Sequence, residues 1–287
     1  MIRTTHIDVA GLSLAASISG DRGKPALLLL HGWPHSRALY DDVIEPLGAD
    51  FLVLAMDLPG IGDSRGVPPS AEKTILADIV LSATEKAGAH GIHIAGLDVG
   101  GMIAFAAARD HGHRISSATI MNTVIPGLEP WDRILSDPRI WHFAFHKIPD
   151  LPELLVSGHQ RAYFDFFHNV LAGDPARIPD ALRAHFADAY ARPDALKMGF
   201  DWYRAMEKDA GHNAKPTSIS TRLLYVRGDA DKRSIKPYVE GLQSAGASHV
   251  DSRVIPGSGE LLPIEAPGAF IDMLRQAHMR SDASPMR

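Results

Sequence analysis

The 287-residue chain contains no cysteine. That excludes disulfides, thiolate nucleophiles and cysteine-ligated metals together, and fits a reducing compartment. It has no surplus of positive charge either: 29 Lys and Arg against 34 Asp and Glu leave a formal charge of -5. No broad basic surface is available to neutralise phosphates, so nucleic acid is not an expected partner. Long apolar runs are also missing. The longest aliphatic run, Ala26 to Leu30, is far below the roughly 20 residues a membrane-spanning helix needs. Met1 to Gly20 carries one early Arg and no sustained apolar stretch of the kind a secretory leader shows. A cytoplasmic protein with no membrane partner is expected. There is no internal repeat and no Gly/Ser tract, and 45% hydrophobic with 22% charged residues is a globular composition. Among the 15 histidines no pair has the H-E-x-x-H spacing, His111-Gly112-His113 included. No metal and no cofactor are therefore expected.

What is present is a repeating punctuation. Ala26 to Leu30 stops at His31-Gly32-Trp33-Pro34, Phe51 to Met56 stops at Asp57-Leu58-Pro59-Gly60, and Ile92 to Ala95 stops at Gly96. Continuous short apolar runs that end in a tight loop are the profile of strands buried on both faces. Ser117 to Asn122, Leu223 to Val226 and Val250 to Ile255 predict further strands, and Thr74 to Gly88 a helix between them. Alternating strands and helices predict a mostly parallel sheet with helices on both faces. The alternation breaks between about Pro126 and Lys215, where aromatics and histidines crowd into Trp141 to His146 and Arg161 to Phe167. This predicts a helical insertion, a cap over the sheet, within a core formed by 1–125 and 216–287. The end, Ser281 to Arg287, is expected to fray.

Gly96-Leu97-Asp98-Val99-Gly100-Gly101 sets one polar side chain on a strand-to-helix turn whose glycines permit close backbone approach. A carboxylate beside the N-terminus of the following helix is kept ionised by free N–H groups and the helix dipole, and can act as a nucleophile. The plainer reading of the same residue is an N-cap aspartate.

With these motifs the chain resembles the α/β-hydrolase fold, in its branch with an aspartate nucleophile, which holds epoxide hydrolases and haloalkane and fluoroacetate dehalogenases. The resemblance rests on His31 to Pro34, Asp57 to Ser64, the elbow at Asp98, the aromatic cap, Gly228-Asp229-Ala230-Asp231, and Pro256 to Glu260 with Glu265-Ala266-Pro267 downstream. It implies that the backbone N–H groups of Trp33 and Val99 form an oxyanion hole, and that the Asp57 segment is a structural turn. Fluoroacetate dehalogenases carry arginines just after the nucleophile, and haloalkane dehalogenases usually a tryptophan; here Val99 to Met102 supply neither. The elbow is most similar to that of bacterial epoxide hydrolases. Tyr203 falls where that group has one of two cap tyrosines, and His142 stands where it has the other. His31, Phe143 and Trp141 join Tyr203 and His142 as expected substrate-binding residues. Trp131, Phe145, Phe164, Phe166, Phe167 and Trp202 offer further walls for a hydrophobic small-molecule substrate. A monomer or a homodimer suits this reading.

The chain departs from the family at the residue after its Pro-Gly-x-Gly turn, where a catalytic histidine is usual and Glu260 stands. The resemblance makes Asp231, rather than Asp229, the third member. Asp98, Asp231 and Glu260 then form a site of three carboxylates, with a proton expected to be shared between Asp231 and Glu260. Three outcomes follow: Glu260 replaces the histidine and an epoxide hydrolase results; Asp98 acts as a general base in a non-hydrolytic cyclase or isomerase; or the protein is a dehalogenase-like or inactive, ligand-binding descendant.

Overall fold

The computed structural model describes residues 1–282. Eight strands, β1 (Arg3–Val9), β2 (Leu12–Ser19), β3 (Ala26–Leu30), β4 (Leu52–Met56), β5 (Ile92–Leu97), β6 (Ile115–Met121), β7 (Arg222–Gly228) and β8 (Val250–Ile255), form one sheet in the order β1-β2-β4-β3-β5-β6-β7-β8. From β4 onward every neighbouring pair is parallel. β3, β4 and β5 are buried along their full length, which is why they read as unbroken apolar runs.

The helices of the core are α1 (Asp41–Leu47), α2 (Lys73–Lys86) and α3 (Val99–Asp110). Between β6 and β7, adjacent in the sheet, the chain passes through α4 (Trp131–Leu135), α5 (Trp141–Lys147), α6 (Leu151–Val156), α7 (Gln160–Leu171), α8 (Asp180–Ala189), α9 (Pro193–Arg204) and α10 (Met206–Asn213). Then come α11 (Lys236–Ser244), α12 (Leu262–Glu265) and α13 (Pro267–Asp282). Ser281 and Asp282 thus close α13; the rest of the tail expected to fray lies outside the described residues. None of the described helices is long and apolar enough to cross a membrane.

Strand periodicity splits the core in two. Leu28, Leu30, Leu54, Met56, Ile94 and Ile120 pack with Leu76 and Val80 of α2 and Ile103 and Ala107 of α3. Their alternates Leu27, Leu29, Val53, Ala55, Ala95, Leu97 and Met121 pack with Val43 and Leu47 of α1, Leu262 of α12 and Phe270 and Leu274 of α13. One helical layer covers each face, as two-faced burial requires. The first hairpin has no counterpart in the sequence reading. β1 and β2 are antiparallel and joined by Ala10 (φ 49) and Gly11 (φ 78), a two-residue turn with both φ positive. β1 is an edge strand and mostly exposed, so it lacks the apolar run by which the other strands were found.

The helical segment between β6 and β7 meets the core around Trp33, at the loop after β3. The Trp33 indole sits in a ring of His146, Phe167, Phe164 and Tyr203, with centroids at 4.6, 4.9, 5.3 and 5.9 Å. Phe164 and Phe167 are buried in this packing, and Trp202 is buried near His31, rather than lining open space.

Candidate active site

Strand β5 runs straight into α3, and Asp98 forms the junction with φ 52 and ψ -119. A side chain in that backbone region is strained and persists only where the surroundings enforce it. The enforcement is close approach of bare backbone: a Cβ on Gly96 would lie 1.9 Å from the Gly100 carbonyl oxygen, and one on Gly32 would lie 2.5 Å from Asp98 Cβ. Both positions need glycine for room. Asp98 Oδ2 accepts the Trp33 backbone N–H at 2.9 Å, and the Val99 N–H also bonds the carboxylate. The structure therefore brings Trp33, Val99 and Asp98 together. Burial pushes the Asp98 carboxyl up to about 6, against the two N–H groups and the charge of Lys73.

Glu260 is half-buried on the loop before α12. Burial, then the charge of Asp98, push its carboxyl well above the usual range, and Arg227 opposes them. Two residues that the sequence reading missed in this role hold the loop. Asn122, at φ 45 just past β6, donates from Nδ2 to the carbonyls of Gly259 and Glu260 at 2.9 and 2.8 Å and accepts the Gly228 N–H at 3.1 Å. Buried Glu265 accepts the N–H groups of Gly259 and Leu261, on either side of Glu260, at 3.1 and 3.0 Å, and that of Gly173 at 2.6 Å. Glu260 is thus clamped from β6 and from α12. A glutamate inside an otherwise apolar Leu-Leu-Pro-Ile-Glu-Ala-Pro stretch was the available signal, since buried carboxylates are rare unless paired.

The proton expected between Asp231 and Glu260 is not shared there. Asp231 Oδ1 accepts the Arg233 backbone N–H at 2.9 Å, Oδ2 accepts Arg233 Nη2 at 2.6 Å, and Arg227 also donates to Oδ2. Burial raises the Asp231 carboxyl, but the Arg233 bonds and the Arg227 charge outweigh it and hold it below the ordinary range. The arginines thus favour the ionised form of Asp231, while burial and the Asp98 charge favour the protonated form of Glu260. Asp229 instead accepts the Gly257 N–H at 2.8 Å.

Tyr203 is buried on α9, and burial, then the charge of Asp98, raise its hydroxyl well above the ordinary value. It stays protonated and can donate. His142 stacks on Trp33 at 6.2 Å and 15°; burial pulls it down to about 4, so it is neutral near pH 7. Its Nδ1 has no partner among the described residues. Phe143 packs against Tyr203 at 5.1 Å.

Two expected substrate residues are corrected. His31 donates from Nδ1 to the Gly32 carbonyl at 2.9 Å and accepts the Leu58 N–H on Nε2 at 3.0 Å, so both ring nitrogens tie two loops together and none is left for a ligand. Trp141 is 42% exposed. It lines an outward-facing apolar groove of about 450 Å³ with Phe145, Tyr163 and Phe166, because its position on short α5 turns it away from Trp33. Tyr163 links that groove to the interior through a 2.8 Å hydrogen bond with His146 Nε2. Asp57 is a turn residue, accepting the Arg37 and Asp63 N–H groups at 2.8 and 3.0 Å.

Comparison with known proteins agrees with this architecture. Residues 25–266 match the alpha/beta hydrolase fold family. A soluble epoxide hydrolase of Corynebacterium sp. (strain C12) is 28% identical over 265 residues, 89% of this chain and 90% of that protein. The crystal structure of Cfl2 from Burkholderia cenocepacia superposes with a TM-score of 0.85 at 28% identity, covering 96% of this chain and 95% of the other. The epoxide hydrolase CorEH superposes with a TM-score of 0.87 at 23% identity over 98% and 99% of the two chains, a likeness of fold.

Proposed function

The chain belongs to the alpha/beta hydrolase fold family, and on that premise we propose that it opens an epoxide of a hydrophobic small molecule, with Asp98 as nucleophile. The observation that carries this is a buried carboxylate held at the elbow by the Trp33 and Val99 N–H groups, with a buried tyrosine whose hydroxyl its charge keeps protonated. Residues 126–215 act as a cap on a core of 1–125 and 216–287, and Tyr203, His142 and Phe143 on the cap complete the site. The relative in Corynebacterium is named for this activity.

The proton balance closes. Asp98 Oδ1 attacks an epoxide carbon, the C–O bond breaks, and Tyr203 gives its proton to the departing oxygen. Ester formation removes the Asp98 charge that raises the Glu260 carboxyl, so Glu260 becomes more acidic at that moment and reprotonates Tyr203. Glu260, now a carboxylate, takes a proton from water, whose oxygen attacks the ester carbonyl. Trp33 and Val99 stabilise the resulting oxyanion. Collapse expels the second alkoxide, which takes the proton of the new Asp98 carboxylic acid. Asp98 ends ionised and Glu260 protonated, as at the start.

The test is incubation with styrene oxide, following diol by chromatography and the protein by intact mass. Diol from the wild type and none from Asp98→Asn supports the proposal; equal diol from both overturns it. The high Glu260 pKa also favours a second reading, a cyclase or isomerase in which Asp98 is a base. Label from H₂¹⁸O separates the two: hydrolysis places ¹⁸O in the Asp98 carboxylate in the first turnover and in the diol over repeated turnovers, whereas the cyclase or isomerase takes up no water.

A further inference from the structure

Lys73 opens α2 with its side chain turned inward, 3% exposed. Nζ lies 2.9 Å from Asp209 Oδ2 and also donates to the backbone carbonyl of Trp202. The Lys73 backbone N–H donates to Asp209 Oδ1 at 2.9 Å, where the N-cap residue Glu72 supplies no side-chain bond. Asp209 therefore caps a core helix and neutralises its first side chain, while itself belonging to α10 of the cap. The Trp202 carbonyl lies in the last turn of α9, at the negative end of that helix, where an ammonium is favourable. The next residue is Tyr203.

A buried ion pair is a weak source of stability, because apolar replacements of similar volume are often as stable. This one does something that an apolar contact does not: it gives the end of α9 a directional anchor on the core. We infer that Lys73 and Asp209 are positioning residues for Tyr203, which they set by holding the carbonyl of the preceding Trp202 against the start of α2. The inference rests on the hydrolytic reading for the role of Tyr203. The Lys73 charge has a second effect at the same place, favouring the ionised form of Asp98.

The double variant Lys73→Met, Asp209→Asn tests this without leaving a lone buried charge, and the amide oxygen of the substituted side chain still caps α2. Three measurements are made on wild type and variant: thermal melting, kcat and KM with styrene oxide, and a pH titration of the buried carboxyls by difference infrared spectroscopy, with Asp98→Asn identifying the Asp98 band. The expected result is a folded variant whose kcat falls on the order of 10²-fold, the loss that a displacement of about 1 Å produces. KM changes little, and the Asp98 band titrates at higher pH than in the wild type. Unchanged kcat and titration overturn the inference, as does a loss of kcat that follows the melting temperature with the Asp98 titration unmoved. If the wild type does not turn over styrene oxide, the hydrolytic reading fails on its own. The infrared titration then still decides whether Lys73 acts on Asp98.

Discussion

Replacing His168 by glutamine should make the protein less sensitive to acid, by an amount the structure fixes. The His168 ring is buried on α7, stacked on His35 at 5.4 Å, beside Phe186 and within 3.7 Å of Asp165. Both of its ring nitrogens lack a hydrogen-bond partner among the described residues. Burial, helped by Arg183, pulls its pKa from 6.5 to about 4. An unfolded chain protonates this imidazole as pH falls through 6.5, whereas the folded one resists until about 4. The unfolded state thus binds more protons throughout that window, and His168 costs the folded state progressively more stability as pH drops. The part of the window from 6.5 down to 5 covers about 1.5 pH units, and at about 1.4 kcal/mol per unit this amounts to about 2 kcal/mol. Asp98 and Glu260, whose carboxyls are raised, act with the opposite sign, so the wild-type slope alone is not diagnostic. The difference between wild type and His168→Gln isolates the imidazole. Urea unfolding followed by tryptophan fluorescence at pH 7, 6 and 5 should show the variant gaining about 2 kcal/mol on the wild type between pH 7 and pH 5. A difference that stays constant across that range would refute the reasoning.

Three other perturbations follow from the same geometry. If Asp98 must be ionised to attack, kcat/KM for styrene oxide should fall on the acid side with a limb near pH 6, the pKa to which burial lifts it; a pH-rate profile flat down to pH 4.5 would exclude Asp98 as the titrating nucleophile. Gly32→Ala would place Cβ 2.5 Å from Asp98 Cβ, displacing the Trp33 N–H, and kcat should drop on the order of 10²- to 10³-fold in a protein that still melts cooperatively. Glu260→Gln can neither return a proton to Tyr203 nor accept one from water. Intact-mass spectrometry should therefore show a styrene oxide adduct that persists in this variant and turns over in the wild type.

The parts of this protein that could be read from its residues are those where burial is symmetric. β3 to β6 announce themselves because both faces are covered, and Asp98 because a strand, a glycine turn and an apolar helix follow one another without a gap. The β1–β2 hairpin was silent because edge strand β1 mixes exposed polar and buried apolar positions, and buried β2 breaks its apolar run with Ser13, Ser17 and Ser19. At the site, the identity of Glu260 was legible but its proton partner was not. The arginines that claim Asp231 stand four residues before it and two after it in sequence, yet only the turn after β7 decides that both fold back on one carboxylate. His31 was misassigned because a motif places a residue near a site without saying which way its ring turns. Trp141 and Phe167 are equally aromatic; helix orientation alone sends one outward and the other against Trp33.

Met121 and Val226 are registered partners in the β6–β7 ladder, and the Asn122 N–H bonds the Val226 carbonyl at 3.0 Å. Because β6 and β7 run parallel, the chain leaves the sheet at Met121 and re-enters it at Arg222, whose partner is Ser117 near the other end of β6, about 4.8 Å to the side and about 13 Å back along the strand. Closing such an excursion costs only about 0.6 kcal/mol more for each doubling of its length. The segment is in this sense a cassette: it can lengthen, shorten or be exchanged for a relative's without altering strand order or register. The ties that set its seating, Lys73 with Asp209 and Trp33 with its aromatic ring, would then have to be transplanted as matched pairs. A chimera that carries over the helices but not their partners in the core should fold with its elbow intact and its tyrosine out of reach.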